Sequence, residues 1–404
     1  MSGFSSERLS QIGKWTKKMV EDGQIPGSLT VVSRRNEVAY YEANGFSDVD
    51  TKTTIKKDSL WRIYSMTKPI TSLALMLLFE EGKFQLSDPV EKYIPAFRKM
   101  TVYSSGGPHN VKTVPAKRKI NIKMLLTHTA GLSHGFDESG TVNMVDRLYK
   151  DEGLIRAKME HSMPLEAWVN KLASVPLLYQ PGSEWYYSLA TDVCGRLVEV
   201  ISGTPLDQFL QHRVFGPLRM ADTKFYVPAA QRHRFVSNYM PNRKKGGLYN
   251  INRTTTLPYS PPPYAGENQE DKKQEGRGGD TGQLPYRFCA GASGLVSTAH
   301  DYLRFAQMLL NKGELDGVRI IGRKTLEFMV VNHLGGNRDI QDLLKHPTLT
   351  PEMAKGIGFG LGFAVILDGP ACKQLASPGT FFWGGAASTL FFVDPHEELV
   401  VVFL

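Results

Sequence analysis

The chain has 404 residues, of which 41% are hydrophobic and 22% are charged, and its formal net charge at pH 7 is +8. These fractions are typical of globular proteins, and no apolar run approaches the length that crosses a bilayer, so we predict a soluble protein without a membrane span. A chain of this length can enclose a large site, within one large domain or two interleaved lobes.

The first predicted element is a helix near the N-terminus, where Leu9, Ile12, Trp15 and Met19 have the spacing of one helix face. The segment lacks a basic start followed by a continuous apolar core, which is the pattern of a signal peptide. We therefore predict a helix that packs against the rest of the protein.

Two strand-like runs, 27–34 and 37–44, follow this helix and are joined by a short polar turn. This arrangement predicts a β-hairpin beside the helix. The spacing of apolar residues then changes. The residues after Ser65 form a long apolar run that ends near Gly82. We expect a buried helix there, with glycine at its C-terminal end.

The middle of the chain, from about 90 to 215, is predicted to be mainly helical. Apolar residues recur with helical spacing over 121–128, 164–173 and 192–203. The next segment, from about 226 to 287, is rich in proline, glycine, asparagine and charge. Such a composition predicts a long loop or irregular insertion.

Most of the clustered basic residues fall in or near that insertion, at Arg232, Arg234, Arg243, Lys244 and Lys245. The segment also contains three consecutive prolines, many glycines and several acids. We interpret it as a solvated loop and expect no nucleic-acid partner.

The C-terminal part returns to alternating helix and strand patterns. Thr298, with Asp301 three residues later, predicts the N-terminal cap of a helix. Three strand-like runs follow, over 358–367, 389–395 and 398–404. The sequence stops at Leu404 inside the last run, so it is either truncated or ends on an unusual terminal strand.

The order of these elements predicts a mixed α/β (α+β) fold. The N- and C-terminal segments, approximately 1–64 and 288–404, would join in one sheet with helices on its faces. A helical lobe over about 65–225 would be inserted between them and would be followed by the irregular insertion at 226–287. All of this is one domain, and we expect its site in the cleft between the lobes.

Ser65 and Lys68 are candidate catalytic residues in the segment YSMTK at 64–68. Residues three apart share one helix face, so their side chains can meet. A serine hydroxyl is a weak nucleophile until a base takes its proton, and a lysine serves only in its neutral form. Pro69 is tolerated only near a helix start, which places the Ser65 N–H where it can donate to an oxyanion.

A competing motif is G-x-S-x-G at 131–135, which would make Ser133 the nucleophile of an elbow between a strand and a helix. The residues before it have helical spacing and those after it are polar, so we interpret the match as coincidence. His128, which lies nearby, is interpreted as a structural histidine at a helix end.

Three motifs occur in order along the chain: YSMTK at 64–68, WYYSLATDVCG at 185–195 and FWGGAAS at 382–388. Together they resemble the serine β-lactamase and penicillin-binding-protein superfamily, most closely its class C-like branch of family VIII carboxylesterases. The resemblance extends over about residues 20–404. It implies a β-lactamase-like fold with an antiparallel sheet flanked by helices.

The resemblance also implies roles for individual residues. Ser65 would be the acylated nucleophile, Lys68 its base partner and Tyr187 the phenol that exchanges protons with Lys68, although neighbouring Tyr186 is an alternative. The N–H groups of Ser65 and Ala386 would form the oxyanion hole.

The third motif is predicted to line the substrate cleft with Trp383, Gly384 and Gly385, where the glycines let the backbone approach the substrate. Two departures from the superfamily pattern matter. Trp383 stands where a lysine usually holds a substrate carboxylate, and Leu189 stands where an asparagine usually orients peptide-like substrates. Both changes favour a neutral, apolar ester over a lactam or D-alanyl peptide.

Three cysteines, Cys194, Cys289 and Cys372, are scattered and odd in number. This pattern favours reduced thiols over a disulfide framework and predicts an intracellular, cytoplasmic location. The cysteines have no metal-ligand spacing, and we expect neither a metal nor an organic cofactor.

The sequence thus leads to the hypothesis of a serine carboxylesterase-type hydrolase acting on a small-molecule ester. If an alcohol or amine accepts the acyl group, the same residues make an acyltransferase, and weak β-lactamase or D-alanyl peptidase activity is a further alternative. A different class of function is a non-catalytic β-lactamase-like scaffold. The natural substrate and the oligomeric state are not determined by the sequence.

Overall fold

The computed structural model describes residues 3–135, 143–155, 163–242, 246–251, 289–344 and 354–404. The helices are α1 (Ser6–Glu21), α2 (Thr67–Glu80), α3 (Ile122–Leu126), α4 (Met144–Asp151), α5 (Leu165–Leu172), α6 (Ala190–Ser202), α7 (Leu206–Leu210), α8 (Ala299–Leu310), α9 (Arg323–Met329) and α10 (Ile340–Leu343). The strands of the main sheet are β1 (Gly27–Arg34), β2 (Glu37–Asp48), β3 (Thr53–Thr54), β12 (Ile357–Phe359), β13 (Ala364–Ile366), β14 (Phe381–Gly384), β15 (Leu390–Asp394) and β16 (Leu399–Phe403). Short two-stranded pairs are formed by β4 (Trp61–Arg62) with β9 (Val296–Ser297), β5 (Thr101–Ser105) with β6 (Lys112–Pro115), β7 (Tyr239–Pro241) with β8 (Leu248–Asn250), and β10 (Glu314–Leu315) with β11 (Val318–Arg319).

The main sheet is antiparallel and runs in the order β12-β13-β14-β15-β16-β1-β2-β3. Strand β1 pairs with β16 on one side and β2 on the other, so that Val31 lies opposite both Val402 and Tyr41. The N- and C-terminal segments therefore meet in the middle of one sheet, which confirms the predicted fold class. Helices α1 and α8 pack against this sheet.

The two-residue turn between β1 and β2 has the backbone conformation that a β-hairpin requires. Arg35 and Asn36 both have positive φ angles, of 53° and 62°, as a two-residue turn with the twist of a hairpin requires. The predicted cap of α8 is also present, since the Thr298 hydroxyl accepts a hydrogen bond of 3.1 Å from the Asp301 N–H. Local patterns determined both features.

The predicted packed face of α1 is wrong at one position. Trp15 is 58% exposed, whereas Gly13 and Thr16 are the buried residues of this helix. A Cβ atom at Gly13 would lie 2.6 Å from the Glu42 carboxylate, and Thr16 accepts a hydrogen bond from Asn44. The helix therefore approaches β2 through its small residues, and the large indole is turned outward.

The middle of the chain is helical where the spacing predicted it, over α3, α5 and α6, and α6 ends at Gly203 with φ of 70°. The hairpin β5–β6 was not predicted. Strand β6 is exposed throughout. It therefore carries little of the apolar alternation that identifies a strand.

The apolar run at 358–367 is not one strand. It contributes to β12 and β13, which are joined by a turn in which Gly362 has φ of 97°. Gly362 packs against the side chain of Ser72 on α2, so a larger residue does not fit there. Gly360 and Gly362, which were counted as strand residues, thus lie between the two strands, whereas Gly358 lies in β12.

The predicted insertion at 226–287 has regular elements where the structure describes it. Residues Ala229–Arg234 form a 3₁₀ helix, and the β7–β8 pair follows. Backbone hydrogen bonds tie Leu60 to Arg234 and Val236. Residues 252–287, like Arg243, Lys244 and Lys245, lie outside the described residues, and the proposed lobe boundaries stay a prediction.

Within the described ranges, no helix combines the length and apolarity needed to cross a membrane. All three cysteine side chains are buried, and none forms a disulfide. The intracellular location inferred from the cysteines stays a prediction.

Candidate active site

The site is built around Ser65, which lies in a 3₁₀ helix (Tyr64–Met66) that leads directly into α2. Lys68 is in the first turn of α2 and is 3% exposed. Its Nζ donates a hydrogen bond of 3.1 Å to Ser65 Oγ. The predicted contact between the two side chains is therefore present, on a helix that is apolar enough to bury the lysine.

Tyr187 supplies a second polar group to the same oxygen atom. Its hydroxyl donates a hydrogen bond of 2.6 Å to Ser65 Oγ, and its ring centroid lies 4.5 Å from Lys68 Nζ. The tyrosine segment is held by backbone hydrogen bonds from Tyr186 N–H to His128 and from Leu189 N–H to Ser133. The structure thus brings Ser65, Lys68 and Tyr187 into one cluster.

Aromatic rings surround the Tyr187 ring. His134 stacks on it at 4.7 Å, His128 meets it edge-on at 5.0 Å, and Trp383 lies 5.2 Å away, all between ring centroids. Trp383 is 9% exposed, and its ring also meets Phe359. Among these neighbours His134 was not predicted, because its approach depends on how the loop after α3 folds back.

One glycine of the third motif is required by packing within the protein, and the predicted place of Gly384 and Gly385 in the substrate cleft stays a prediction. Gly384 ends β14 and Gly385 follows it. A Cβ atom at Gly385 would lie 2.6 Å from the carbonyl oxygen of Ile63 and would also meet Thr389. Gly385 therefore permits close packing between β14 and the segment that carries Ser65. Ala386 follows it and is exposed.

Lys68 has a second anchor that sequence reasoning missed. Its Nζ donates a hydrogen bond of 2.9 Å to the carbonyl oxygen of Ala292, which precedes β9. The N–H of Ala292 in turn donates to the Asp192 carboxylate at 2.9 Å. Nothing in the spacing of the sequence pointed to this contact, because a backbone carbonyl carries no residue-type signal.

The residue before Ser65, Tyr64, also contacts a residue of the predicted insertion. Tyr64 has φ of 42°, an unusual conformation for a bulky residue. Its hydroxyl contacts the Asn238 amide at 2.5 Å. The described part of the insertion therefore lies beside the candidate nucleophile.

Ser133 does not have the environment of an elbow nucleophile. It follows helix α3 and not a strand, and it is fully buried. Its hydroxyl donates to Asp146 at 2.6 Å and accepts from Asn143 at 3.1 Å. The interpretation of the G-x-S-x-G match as coincidence is therefore supported.

His128 and Tyr186 are likewise engaged elsewhere. His128 Nδ1 lies 3.0 Å from the Ser188 hydroxyl, and burial together with the charge of Lys68 holds the pKa of His128 well below its usual range. The Tyr186 hydroxyl accepts a hydrogen bond from Asn143 at 3.1 Å, and burial raises the pKa of Tyr186. His128 is therefore a neutral histidine just beyond the end of α3.

The sequence matches the family described as "Beta-lactamase" over residues 12–404, so the chain belongs to the beta-lactamase family. Protein Rv1367c of Mycobacterium tuberculosis is 33% identical over 391 residues, which are 96% of this chain and 87% of that protein. Esterase EstB of Burkholderia gladioli is 29% identical over 95% of this chain and 87% of its own length.

A likeness is also found among solved structures. The structure of EstCE1, described as a hydrolase with promiscuous acyltransferase activity, has a TM-score of 0.75 and 25% identity, covering 99% of this chain and 93% of that one. These findings confirm the predicted superfamily and its fold. They place the chain in a family of hydrolases whose members include esterases.

Proposed function

We propose that this protein is a serine hydrolase that cleaves neutral carboxylic esters through an acyl-enzyme on Ser65. The observation that supports this most strongly is the position of Ser65 Oγ, 3.1 Å from Lys68 Nζ and 2.6 Å from the Tyr187 hydroxyl. A serine hydroxyl held between an amine and a phenol has two groups that can take or return its proton.

Acylation requires the neutral form of Lys68, because only that form can accept a proton. The amine and the Tyr187 phenol relay the proton away from Ser65 Oγ as that oxygen attacks the ester carbonyl carbon. The carbon–oxygen bond to the alcohol then breaks, and the same relay returns the proton to the departing alkoxide. The products of this half are the free alcohol and an ester of Ser65.

Deacylation repeats the chemistry with water as the nucleophile. The relay accepts one proton from water, hydroxide adds to the acyl carbon, and Ser65 Oγ leaves and regains a proton. In both halves the negative oxygen of the tetrahedral intermediate is assigned to the N–H groups of Ser65 and Ala386.

The substrate class is proposed from the side chains around the cluster. Trp383 occupies the position where the superfamily has a lysine, and the Tyr187 ring is enclosed by His134 and Trp383. Leu189 adds no amide to the site. An aromatic wall with no lysine at position 383 favours an apolar acyl or alcohol group over a carboxylate.

Acyl transfer is the second candidate. The comparison with EstCE1, a hydrolase with promiscuous acyltransferase activity, favours it, because an acyl-enzyme can react with an alcohol as well as with water. Competition between water and an added alcohol would measure the balance between the two outcomes.

The test compares hydrolysis of p-nitrophenyl butyrate and of nitrocefin by the wild type, Ser65→Ala and Ser133→Ala. We expect ester turnover to be lost only in Ser65→Ala, with little nitrocefin cleavage by any of them. A fluorophosphonate should label the wild type and Ser133→Ala but not Ser65→Ala. Ester turnover that survives in Ser65→Ala would overturn the mechanism, and a wild type that neither turns over esters nor is labelled would favour the scaffold.

A further inference from the structure

The peptide group between Gly291 and Ala292 is hydrogen-bonded through both its carbonyl and its N–H. The Thr71 hydroxyl on α2 donates to the Gly291 carbonyl at 2.7 Å, and the Ala292 N–H donates to the Asp192 carboxylate on α6 at 2.9 Å. Thr71 is fully buried, and Asp192 is 1% exposed. Two helices that pack against each other thus hold one peptide plane between them.

The contact requires glycine at position 291. A Cβ atom there would lie 2.9 Å from the Thr191 carbonyl oxygen and 3.2 Å from the Thr71 methyl group. Gly195, one turn further along α6, also lies close to Gly291. A Cβ atom added at Gly195 would lie 3.5 Å from the Gly291 Cα. The backbone at 291–292 is therefore pressed against α6.

The next carbonyl along the chain, that of Ala292, accepts the hydrogen bond from Lys68 Nζ at 2.9 Å. The preceding peptide constrains its direction, because only the φ and ψ angles of Ala292 separate the two peptide planes. Lys68 and Thr71 lie three residues apart on α2, so both reach this segment from the same helix face.

We propose that Asp192 and Thr71 are positioning residues that act on Lys68 through the Gly291–Ala292 peptide. They fix the Ala292 carbonyl, and this carbonyl holds Lys68 Nζ beside Ser65 Oγ. Asp192 lies three residues after Leu189, so α6 supplies a carboxylate one turn beyond the position where the superfamily usually has an amide. The proposal rests on the proposed function, because it assigns a role to Lys68.

The experiment uses Asp192→Ala, Asp192→Asn, Thr71→Val and Thr71→Ser in the full chain. The asparagine amide oxygen can still accept the Ala292 N–H, and the serine hydroxyl can still donate to Gly291, so each is the conservative partner of a disruptive change. Asp301→Asn is the matched control, since Asp301 is an equally buried aspartate that accepts hydrogen bonds from Asp222 and Thr223 instead.

The readouts are kcat and KM for p-nitrophenyl butyrate, and the Lys68 Nζ to Ala292 oxygen distance in crystal structures of the variants. We expect Asp192→Ala and Thr71→Val to lower kcat by about 100-fold with little change in KM, as a displaced catalytic group does. Asp192→Asn and Thr71→Ser should stay within about tenfold of the wild type. In the disruptive variants the Lys68–Ala292 contact should be broken.

An unchanged contact with wild-type kcat in Asp192→Ala and Thr71→Val overturns the proposal. So does a loss that the asparagine and serine variants share with Asp301→Asn, because that would indicate general destabilisation. Failure of the proposed function is distinguishable from these results. It would appear as an inactive, unlabelled wild type, while the crystallographic distance would still test the positioning of Lys68.

Discussion

Tyr186 and Tyr187 are adjacent in the chain, but their hydroxyl groups enter different networks. The Tyr187 hydroxyl contacts Ser65 Oγ at 2.6 Å, whereas that of Tyr186 contacts Asn143 at 3.1 Å. The two neighbouring side chains therefore point to different parts of the protein. Tyr187 is therefore a candidate for the reaction, whereas Tyr186 belongs to a structural hydrogen-bond network.

Replacing either tyrosine by phenylalanine separates these roles. We expect Tyr187→Phe to lower kcat for p-nitrophenyl butyrate by about 100- to 10,000-fold, because the variant lacks a proton-transfer group. Tyr186→Phe should lower the free energy of unfolding by about 1 kcal/mol and leave kcat near the wild-type value. Steady-state kinetics and urea unfolding measure both, and equal kinetic losses in the two variants would refute the assignment of Tyr187.

His128 predicts a dependence of stability on pH. Its pKa is lowered in the folded protein, so above about pH 6.5 the side chain is neutral in both states and its contribution is constant. As the pH falls below about 6.5, the unfolded chain binds a proton that the folded protein excludes. The free energy of unfolding should then fall by up to about 1.4 kcal/mol per pH unit.

The control for this prediction is His128→Asn. Asparagine tolerates the positive φ of 55° at this position but does not titrate. His333, whose pKa is also lowered by burial, is present in both proteins and cancels in the difference. Urea unfolding at pH 7.5, 6.5 and 5.5 should show a steeper loss for the wild type, and parallel curves would contradict the prediction.

At the scale of elements, strand β14 and the 3₁₀ helix at Tyr64–Met66 are packed without room for a side chain at Gly385. The nearest backbone atom is the carbonyl oxygen of Ile63, two residues before Ser65. The third motif is thus coupled to the first through backbone packing. A change in the strand should therefore reach the nucleophile.

Gly385→Ala tests this coupling. The added Cβ would lie 2.6 Å from the Ile63 oxygen, so we expect a loss of about 1–3 kcal/mol in stability and slower labelling of Ser65 by a fluorophosphonate. Gly384→Ala is the matched control at the preceding position, the last residue of β14, where the closest atom, the Thr389 backbone oxygen, is 3.1 Å away. If both variants were labelled at the wild-type rate, the coupling would be absent.

At the scale of the whole molecule, β16 joins the two parts of the main sheet. It lies between β15 and β1, and alternate residues of the strand are fully buried. The N-terminal hairpin therefore connects to the C-terminal strands only through this strand in the sheet order. Its inward side chains should matter to the stability of the entire sheet.

Replacing two neighbouring valines of β16 by threonine tests this expectation, because threonine has nearly the same size and shape as valine. Val402 is fully buried, so Val402→Thr should lower the free energy of unfolding by about 1–3 kcal/mol through an unpaired hydroxyl. Val401 is only half-buried, and Val401→Thr should change it by less than about 0.5 kcal/mol. Urea unfolding measures both, and equal losses would show that burial does not distinguish them.

Local features of the fold were predictable because they depend on neighbours in sequence. The Arg35-Asn36 turn and the Thr298 cap are of this kind. The exposure of Trp15 was not predictable, since it depends on how closely α1 approaches β2. The β5–β6 pair was not predictable because its residues lack a clear apolar alternation. The contacts of the candidate site outside the three motifs were not predictable because no sequence pattern marks them.

The sequence by itself determined the pairing of Ser65 with Lys68, because a three-residue spacing at a helix start brings two side chains together without help from the rest of the chain. The resemblance of the three motifs predicted Tyr187, but only the tertiary structure showed that its hydroxyl contacts Ser65 Oγ and that the Ala292 carbonyl contacts Lys68. These contacts join residues separated by 122 and 224 positions. Such contacts depend on the packing of α2, α6 and β9 in three dimensions, and no period or spacing along the chain records that arrangement.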